Sequence, residues 1–265
     1  MRYWFACAGA LALLASVSAS SAFAQGRLIA VDSSRAIFEI NQATGAKTQI
    51  GTVSLNAGTT AGLAYDPVNN ITYVTSSSND SLFTLDLNTF AATLVGPYGD
   101  PAVVMHGLEY DTSTGTLYGA STGNVYTINK TTGQATIVGP HGQNTTGFLN
   151  LGYNSDTDVM YGTHTSTDEF FSVNRATGLA TLIGALGGPT NPHGLAYNPD
   201  NDTMYLADPG TDNLFTINLA TGAATLVGST GTGNLLGLMY VPVIPEPAAL
   251  ALASLAGAAA LLRRR

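Results

Sequence analysis

The chain has 265 residues, of which 45% are hydrophobic, only 10% are charged and 30 are glycine. This composition is typical of strands and tight turns, and it argues against a coiled coil, a helical bundle or a charged disordered tail. The formal net charge is −8, and residues 25–244 alone carry 5 basic and 16 acidic side chains. Such an acidic chain repels phosphate backbones and anionic membrane surfaces, which argues against nucleic-acid binding.

Residues 1–24 have the order of a secretory signal peptide. An apolar stretch at 6–17 is followed by small residues, and Ala22 and Ala24 mark the expected cleavage site. The alternative, a retained membrane anchor, is disfavoured because the apolar run is short. Cys7 is the only cysteine, so the processed chain would have no thiol for a disulfide, a zinc–thiolate site or a nucleophile.

Residues 27–240 repeat with a period of 43 to 45 residues. The plainest trace is a pair formed by an apolar residue and a glycine, which occurs at Ile50-Gly51, Val95-Gly96, Val138-Gly139, Ile183-Gly184 and Val227-Gly228. Most copies have a Thr-Gly turn before this pair, but the second copy has Phe90 where the others have glycine. That turn must accept a positive φ at a bulky residue or adopt another shape.

Each repeat contains four short strands and no helix signal. The third strand alternates with apolar residues on both faces, as at Ile37 and Phe38, so the sheet must be covered on both sides. Four antiparallel strands in about 44 residues, with both faces buried, describe one blade of a β-propeller.

The number of repeats predicts an all-β, five-bladed propeller over residues 25–242. The inner strand, with the pattern Gly-Leu-x-Tyr, is missing from the first repeat and present as a spare copy at 237–240. We therefore expect blade one to take three strands from residues 27–53 and its innermost strand from about 236–241. Leu238 and Tyr240 should then pair with the stretch from Leu28 to Val31.

The turns and connections fall on two faces of this ring. The face with the turns between first and second strands receives six aspartates, which we interpret as ordinary turn residues. They are Asp66, Asp111, Asp156, Asp158, Asp200 and Asp202. The alternative is weak Ca²⁺ binding by exposed carboxylates at similar radii, and no other cofactor is predicted.

The opposite face receives the longer segments and all four histidines. The candidate ligand-binding residues there are His106 and His193, near the rim of the channel, His141 and His164, on loops further out, and Asp208 on the same face. The alternative is that a histidine at a strand start only bonds a loop carbonyl. No spacing supplies three zinc ligands, and no Gly-x-Ser-x-Gly or phosphate-binding loop is present, so no catalytic residue is predicted.

Glu109 is the remaining candidate ligand-binding residue. Its equivalents in the other repeats are Ala64, Gly152, Ala196 and Met239, so a carboxylate occupies a position that is otherwise small or apolar. A buried carboxylate must find a partner or take up a proton. Because side chains alternate along a strand, Glu109 points away from His106, and its partner is expected across the gap to the next blade.

The C-terminal segment, residues 243–265, has three features in a fixed order. Pro245, Glu246 and Pro247 precede fifteen uncharged residues, and Arg263, Arg264 and Arg265 end the chain. The uncharged helix would span roughly 22 Å, which is short of the ~30 Å hydrocarbon core but workable with its flanking residues. The arginines would hold this end in the cytoplasm, with everything between the two segments exported.

This order resembles the PEP-CTERM sorting signal of Gram-negative bacteria. The resemblance implies recognition of residues 245–247 by an exosortase, a membrane protease, with processing near that motif. It also implies an association with exopolysaccharide, at the cell surface or in the extracellular matrix, after an inner-membrane intermediate. A plain C-terminal tail anchor is the alternative.

The repeat itself resembles, more loosely, bacterial secreted propellers related to quinoprotein-dehydrogenase-like and lactonase-like rings. That resemblance implies a fold and no chemistry. The sequence therefore favours an exported binding or structural module for polysaccharide. The alternative is an extracellular lactonase, lyase or glycan-acting enzyme that uses the histidine-bearing face.

Overall fold

The computed structural model describes residues 26–243. The predicted signal peptide and the sorting motif with its apolar helix fall outside these residues. Within the described part of the chain, no helix is long and apolar enough to cross a membrane.

Twenty strands form five four-stranded antiparallel sheets. Blade 1 consists, from the channel outward, of β20 (Leu235–Val241), β1 (Arg27–Asp32), β2 (Ala36–Ile40) and β3 (Lys47–Thr52). Blade 2 consists of β4 (Thr60–Asp66), β5 (Ile71–Ser76), β6 (Ser81–Leu85) and β7 (Ala92–Pro97). A short 3₁₀ turn, Leu55–Ala57, lies between these two blades.

The other three blades repeat the same order from the channel outward. Blade 3 consists of β8 (Gly107–Asp111), β9 (Thr116–Ala120), β10 (Asn124–Ile128) and β11 (Ala135–Pro140). Blade 4 consists of β12 (Leu149–Asn154), β13 (Val159–His164), β14 (Glu169–Val173) and β15 (Ala180–Ala185). Blade 5 consists of β16 (Leu195–Asn198), β17 (Thr203–Asp208), β18 (Asn213–Ile217) and β19 (Ala224–Ser229).

The ring closes through blade 1, as the repeat count predicted. Leu28 pairs with Tyr240 and Ala30 with Leu238, so the last strand completes the sheet that the first strand began. The inner strand β20 also contacts β4 and β16, its neighbours on either side. The chain is therefore an all-β, five-bladed propeller.

The core is divided into five apolar clusters, one in each gap between adjacent blades. Ile37 packs in the gap to blade 2, whereas its neighbour Phe38 packs in the gap to blade 5. Alternation along a strand sends consecutive side chains to opposite faces. The two-sided apolar pattern of the third strands thus reflects burial between two neighbouring blades.

The glycine of a Thr-Gly turn in one blade contacts the glycine of an apolar-Gly pair in the neighbouring blade. Gly133, in a turn of blade 3 with φ +77°, lies against the outer strand of blade 2, and a Cβ there would stand 2.1 Å from the carbonyl oxygen of Gly96. In blade 2 the turn residue is Phe90, which takes φ 59° despite its size. Its ring lies where a Cβ on Gly51 of blade 1 would be, 2.2 Å away.

Candidate functional site

The histidine mouth is the end of the channel formed by His106, Asn150 and His193. Each precedes or opens an inner strand, in blades 3, 4 and 5 respectively. These side chains, with six leucines that include at least one from every blade, line a cavity of only about 10 Å³. The leucines are Leu63, Leu108, Leu151, Leu195, Leu236 and Leu238, each at most 6% exposed. The channel is therefore almost closed at this level.

The two histidines of this mouth lie close together and are largely desolvated. The ring of His106 stacks on Phe148 with centroids 3.7 Å apart, and it lies 5.7 Å from the ring of His193. Burial, and to a smaller extent the neighbouring His193, lowers the pKa of His106 to about 3. Burial also lowers the pKa of His193. Both rings are therefore neutral at pH 7.

Two polar atoms in the histidine mouth find no hydrogen-bond partner among the described residues. They are Nδ1 of His106 and Oδ1 of Asn150. The amide nitrogen of Asn150 donates to the carbonyl of Pro192 at 3.1 Å, and Nδ1 of His193 lies 3.0 Å from the carbonyl of Asn191. The sequence reasoning missed Asn150, although it is the single polar residue at a position that is glycine in the other repeats.

His141 and His164 form a second pair, away from the channel. Their rings lie 5.9 Å apart and both are fully buried. His164 is the last residue of β13, so its expected position on an outer loop is wrong. Its Nε2 lies 3.0 Å from the carbonyl of Asn144 and its Nδ1 lies 3.3 Å from the hydroxyl of Ser166. These contacts give His164 a loop-bracing role.

Asp208 also braces a loop on this face. Its carboxylate accepts the backbone N–H groups of Thr190, Asn191 and Thr211, at 2.7 to 3.2 Å. It is 1% exposed. The loop that it holds leads directly into His193, so Asp208 positions that histidine.

Glu109 lies at the next level of the channel, beyond the leucines. Its Oε2 accepts the backbone N–H of Tyr153 in blade 4 at 3.2 Å, and its Oε1 accepts the N–H of Tyr110 at 2.8 Å. The partner expected across the gap between blades is thus the backbone of Tyr153. Burial raises the pKa of Glu109 to about 8, although both N–H donors favour the charged form. The carboxyl group is therefore mainly protonated at pH 7.

The tyrosine pocket is a second cavity of the channel, of about 290 Å³, and it contains Glu109. One tyrosine from the end of every inner strand lines it: Tyr65, Tyr110, Tyr153, Tyr197 and Tyr240. The pocket shares no lining residue with the histidine mouth. The histidines and Glu109 thus occupy separate compartments and form no common site.

The tyrosine hydroxyls are held in place by the turns beneath them. Tyr197 donates to Asp202 of its own blade at 2.7 Å and contacts Asp156 of the preceding blade at 2.9 Å. Tyr240 donates in the same way to Asp200. These contacts fix the rings between blades and leave each tyrosine between 4% and 8% exposed.

Sequence reasoning treated these tyrosines only as strand markers. The signal that could have identified them is their occurrence at the same position in all five repeats, where an aromatic residue must face the channel end. Glu109 was the single residue of this compartment that the sequence singled out.

The turn aspartates have the structural roles expected of them, but two of them are not exposed. Asp66 and Asp111 are fully buried. Asp66 accepts the N–H groups of Val68 and Asn69, and Asp111 bonds Arg175 from blade 4. Weak Ca²⁺ binding was considered for exposed carboxylates, and Asp66 and Asp111 are not exposed. Across residues 26–243, no three or more histidine or acidic side chains are placed to hold a metal ion.

Comparisons with known proteins agree with the architecture. No family model matches the chain, and no curated protein matches it. Among solved structures it is similar to a chain of the nidogen/laminin complex, with 16% identity, a TM-score of 0.57, and coverage of 80% of this chain and 83% of that one.

Two enzymes have similar structures. A virginiamycin B lyase from Staphylococcus aureus shares 13% identity with a TM-score of 0.51, covering 82% of this chain and 78% of that one. A gluconolactonase from Xanthomonas campestris shares 14% identity with a TM-score of 0.52, covering 81% and 75%. At these identities the likeness shows the fold alone. The protein is thus a five-bladed β-propeller with lactonase- and lyase-like structural neighbours.

Proposed function

We propose that this protein is an exported, non-catalytic binding module whose ligand site is the tyrosine pocket. One observation carries the proposal: every blade contributes a tyrosine to a single cavity of about 290 Å³. That volume is close to the lower end of the roughly 300–1,000 Å³ typical of small-molecule sites. Aromatic walls with one carboxyl group suit a sugar-sized ligand, since rings stack on the apolar faces of a sugar and the carboxyl group fixes its orientation by hydrogen bonding.

The proposed cellular location of this module rests on the terminal segments. The signal-peptide pattern supports export, and the Pro245-Glu246-Pro247 pattern supports recognition by an exosortase after an inner-membrane stage. A ligand from the surrounding exopolysaccharide, at the cell surface or in the matrix, fits both. Deleting residues 245–265 should release the ring into the medium, whereas continued retention at the envelope contradicts the sorting assignment.

An enzyme that works at the histidine mouth is the second candidate. The unpartnered Nδ1 of His106 and Oδ1 of Asn150 favour it, because such atoms are available to a substrate. Two of the solved structures with this fold are named as a lyase and a gluconolactonase. The cavity of about 10 Å³ at this mouth disfavours it, since only a water-sized molecule fits.

Changing each end of the channel separately distinguishes these functions. Thr112 and Ser155 are exposed residues at the rim of the tyrosine pocket, so a T112W/S155W variant should fold and narrow its entrance. Asn150 lines the histidine mouth at a position that is glycine in the four other repeats, so N150G should fold and is the variant at that end. The ligands are oligosaccharides from the matrix of the producing cells, measured by titration calorimetry.

We expect T112W/S155W to weaken oligosaccharide binding at least tenfold and N150G to leave it unchanged. The reverse pattern, or turnover of the oligosaccharide that N150G alone abolishes, supports the enzyme. If the unmodified protein binds no oligosaccharide, the polysaccharide-binding function is wrong.

A further inference from the structure

We propose that the tyrosine pocket binds its ligand through a primary ammonium group, which pairs with the Glu109 carboxylate while the tyrosine rings enclose the rest of the ligand. This inference rests on the proposed function, because it assumes that the ligand occupies this pocket. It adds the chemical class that the pocket selects, a small amine such as an unacetylated amino sugar.

Glu109 is the group of the pocket wall that becomes negatively charged when it loses its proton. Apart from the tyrosines, it is the single ionisable side chain among the described residues that line the cavity, and no Lys, Arg or His is among them. Each carboxylate oxygen accepts one backbone N–H, from Tyr110 and from Tyr153. A carboxylate offers about four lone-pair sites, so acceptor capacity remains for the N–H groups of an ammonium ion.

The tyrosines around Glu109 favour a cation as well. Cations are attracted to the negative faces of aromatic rings. Two of these rings already lie next to a cation. Nζ of Lys130 is 4.9 Å from the ring centre of Tyr110, and the guanidinium of Arg175 is 5.4 Å from the ring centre of Tyr153. The phenols of Tyr153, Tyr197 and Tyr240 each donate a hydrogen bond to a carboxylate, which makes their rings more electron-rich and strengthens this attraction.

The charged groups around the pocket are predominantly negative. Asp111 is on the same strand as Glu109, and Asp66 follows the pocket tyrosine of blade 2. Arg175, from the turn between β14 and β15, pairs with Asp111 and Asp158, and Lys130 lies 3.9 Å from Asp66. Six turn carboxylates lie on this face, and these two cations balance only part of their charge. They are Asp66, Asp111, Asp156, Asp158, Asp200 and Asp202.

Binding of an ammonium ion must be linked to loss of a proton. In the free protein at pH 6.5 the Glu109 carboxyl is protonated, since burial raises its pKa to about 8. An adjacent ammonium ion favours the carboxylate, so the proton leaves to the buffer as the ligand binds. Affinity for the amine should then rise with pH, by up to about tenfold per unit between pH 6 and pH 8.

The experiment compares matched pairs of probes on the full chain. Glucosamine is paired with glucose, and 2-aminoethanol with ethylene glycol; each pair differs by an ammonium group in place of a hydroxyl. Titration calorimetry at pH 6.5, in buffers of different ionisation enthalpy, gives the affinity and the number of protons released. The variants are E109Q and E109A, and the control is D86N.

E109A and D86N are expected to fold because each matches another repeat, and E109Q because glutamine keeps the size of Glu109. Alanine occurs at the position of Glu109 in blades 2 and 5, and asparagine occurs at the position of Asp86 in the four other blades, as at Asn129. Asp86 does not line the pocket. D86N therefore separates a local pairing from a change in net charge.

We expect the amines to bind at least tenfold more tightly than their hydroxyl partners, with release of close to one proton. E109Q and E109A should abolish this preference and the proton release, and D86N should change neither. Equal binding of glucose and glucosamine, sensitive to T112W/S155W, overturns the ammonium pairing and leaves the pocket as the ligand site. If no probe binds in a way that T112W/S155W weakens, the pairing is overturned, and the oligosaccharide titration separately decides the proposed function.

Discussion

The carboxylate of Glu109 accepts the backbone N–H of Tyr153 at 3.2 Å, so that a side chain of blade 3 is tied to the inner strand of blade 4. Inner strands face the channel with one unpaired edge, and their N–H groups need acceptors there. Glu109 supplies one at the cost of removing part of a carboxyl group from water. This relationship makes the stability of the ring depend on pH.

We expect replacement of Glu109 by alanine to stabilise the protein increasingly as the pH rises. The folded-state pKa of about 8 is above the ordinary value of 4.5, so the favourable contribution of the protonated group is complete below about pH 4.5 and is lost as the pH rises through 8. Urea unfolding at pH 5 and pH 8.5 measures the difference between E109A and the parent. That difference should grow by a few kcal/mol, roughly, between the two pH values. A difference that does not change with pH means that Glu109 is ionised in the folded protein.

Arg175, in the turn between β14 and β15, also joins blades 3 and 4. It bonds the fully buried Asp111 of blade 3, and its second nitrogen lies 2.8 Å from Asp158 of blade 4. Replacement by methionine keeps the aliphatic volume and leaves the Asp111 charge without its cation. We expect a loss of about 2–4 kcal/mol at pH 7.

The pH dependence of this loss has the opposite sign to that of E109A. Hydrogen bonds from Ser113, Thr114 and Arg175 outweigh burial and hold the pKa of Asp111 below its ordinary value of 3.8. The stabilisation is therefore present above pH 3.8 and disappears as the pH falls through the folded-state pKa. Unfolding of R175M and the parent followed down to pH 2.5 should show converging stabilities. Parallel curves would show that Arg175 acts through packing instead of charge.

The contact between Gly133 and Gly96 should tolerate no side chain. Alanine at Gly133 must adopt φ +77° and also displaces the carbonyl of Gly96, since its Cβ would lie 2.1 Å from that oxygen. Gly187 is the matched control, with φ +76° and no atom within 4 Å of an added Cβ. We expect G187A to cost about 1–2 kcal/mol from the backbone conformation alone, and G133A about 1–3 kcal/mol more. Equal losses in urea titrations would show that the blade contact has no steric role.

Ring closure can be tested by a disulfide, because the processed chain is expected to have no cysteine of its own. Ala30 and Leu238 are cross-strand partners, whose side chains share one face of the sheet. We expect A30C/L238C to form a disulfide and to lose its free thiols. A30C/M239C is the control, since its side chains point to opposite faces and should stay reduced. Oxidation of the control in place of the paired variant would place β20 in another register.

The closure was predictable because it follows from counting. The spare Gly-Leu-x-Tyr copy had no other sheet to join, and its strand occupies Leu235–Val241, within a residue of the expected 236–241. The two faces of the ring followed from the order of the strands. The burial of both faces was readable from neighbours such as Ile37 and Phe38, since the two flanking blades are equivalent partners.

The candidate site was less predictable, because its contacts depend on side chains from different blades. Nothing local indicates that Phe148 stacks on His106, or that leucines close the channel between His106 and Glu109. Phe90 shows the same limit within the fold. Its positive φ was one of two expected outcomes, but the cover that its ring gives to Gly51 depends on the neighbouring blade.

The most direct test of the account is to observe both ends of the channel in one spectrum while ligand is added. The chain has 12 tyrosines and 4 histidines, so ¹³C labelling of these rings gives few signals. Titration with the matrix oligosaccharides should shift the ring signals of the five pocket tyrosines, including Tyr197 and Tyr240, and leave His106 and His193 unchanged. Shifts confined to His106 and His193 would contradict the account and assign the ligand to the histidine mouth.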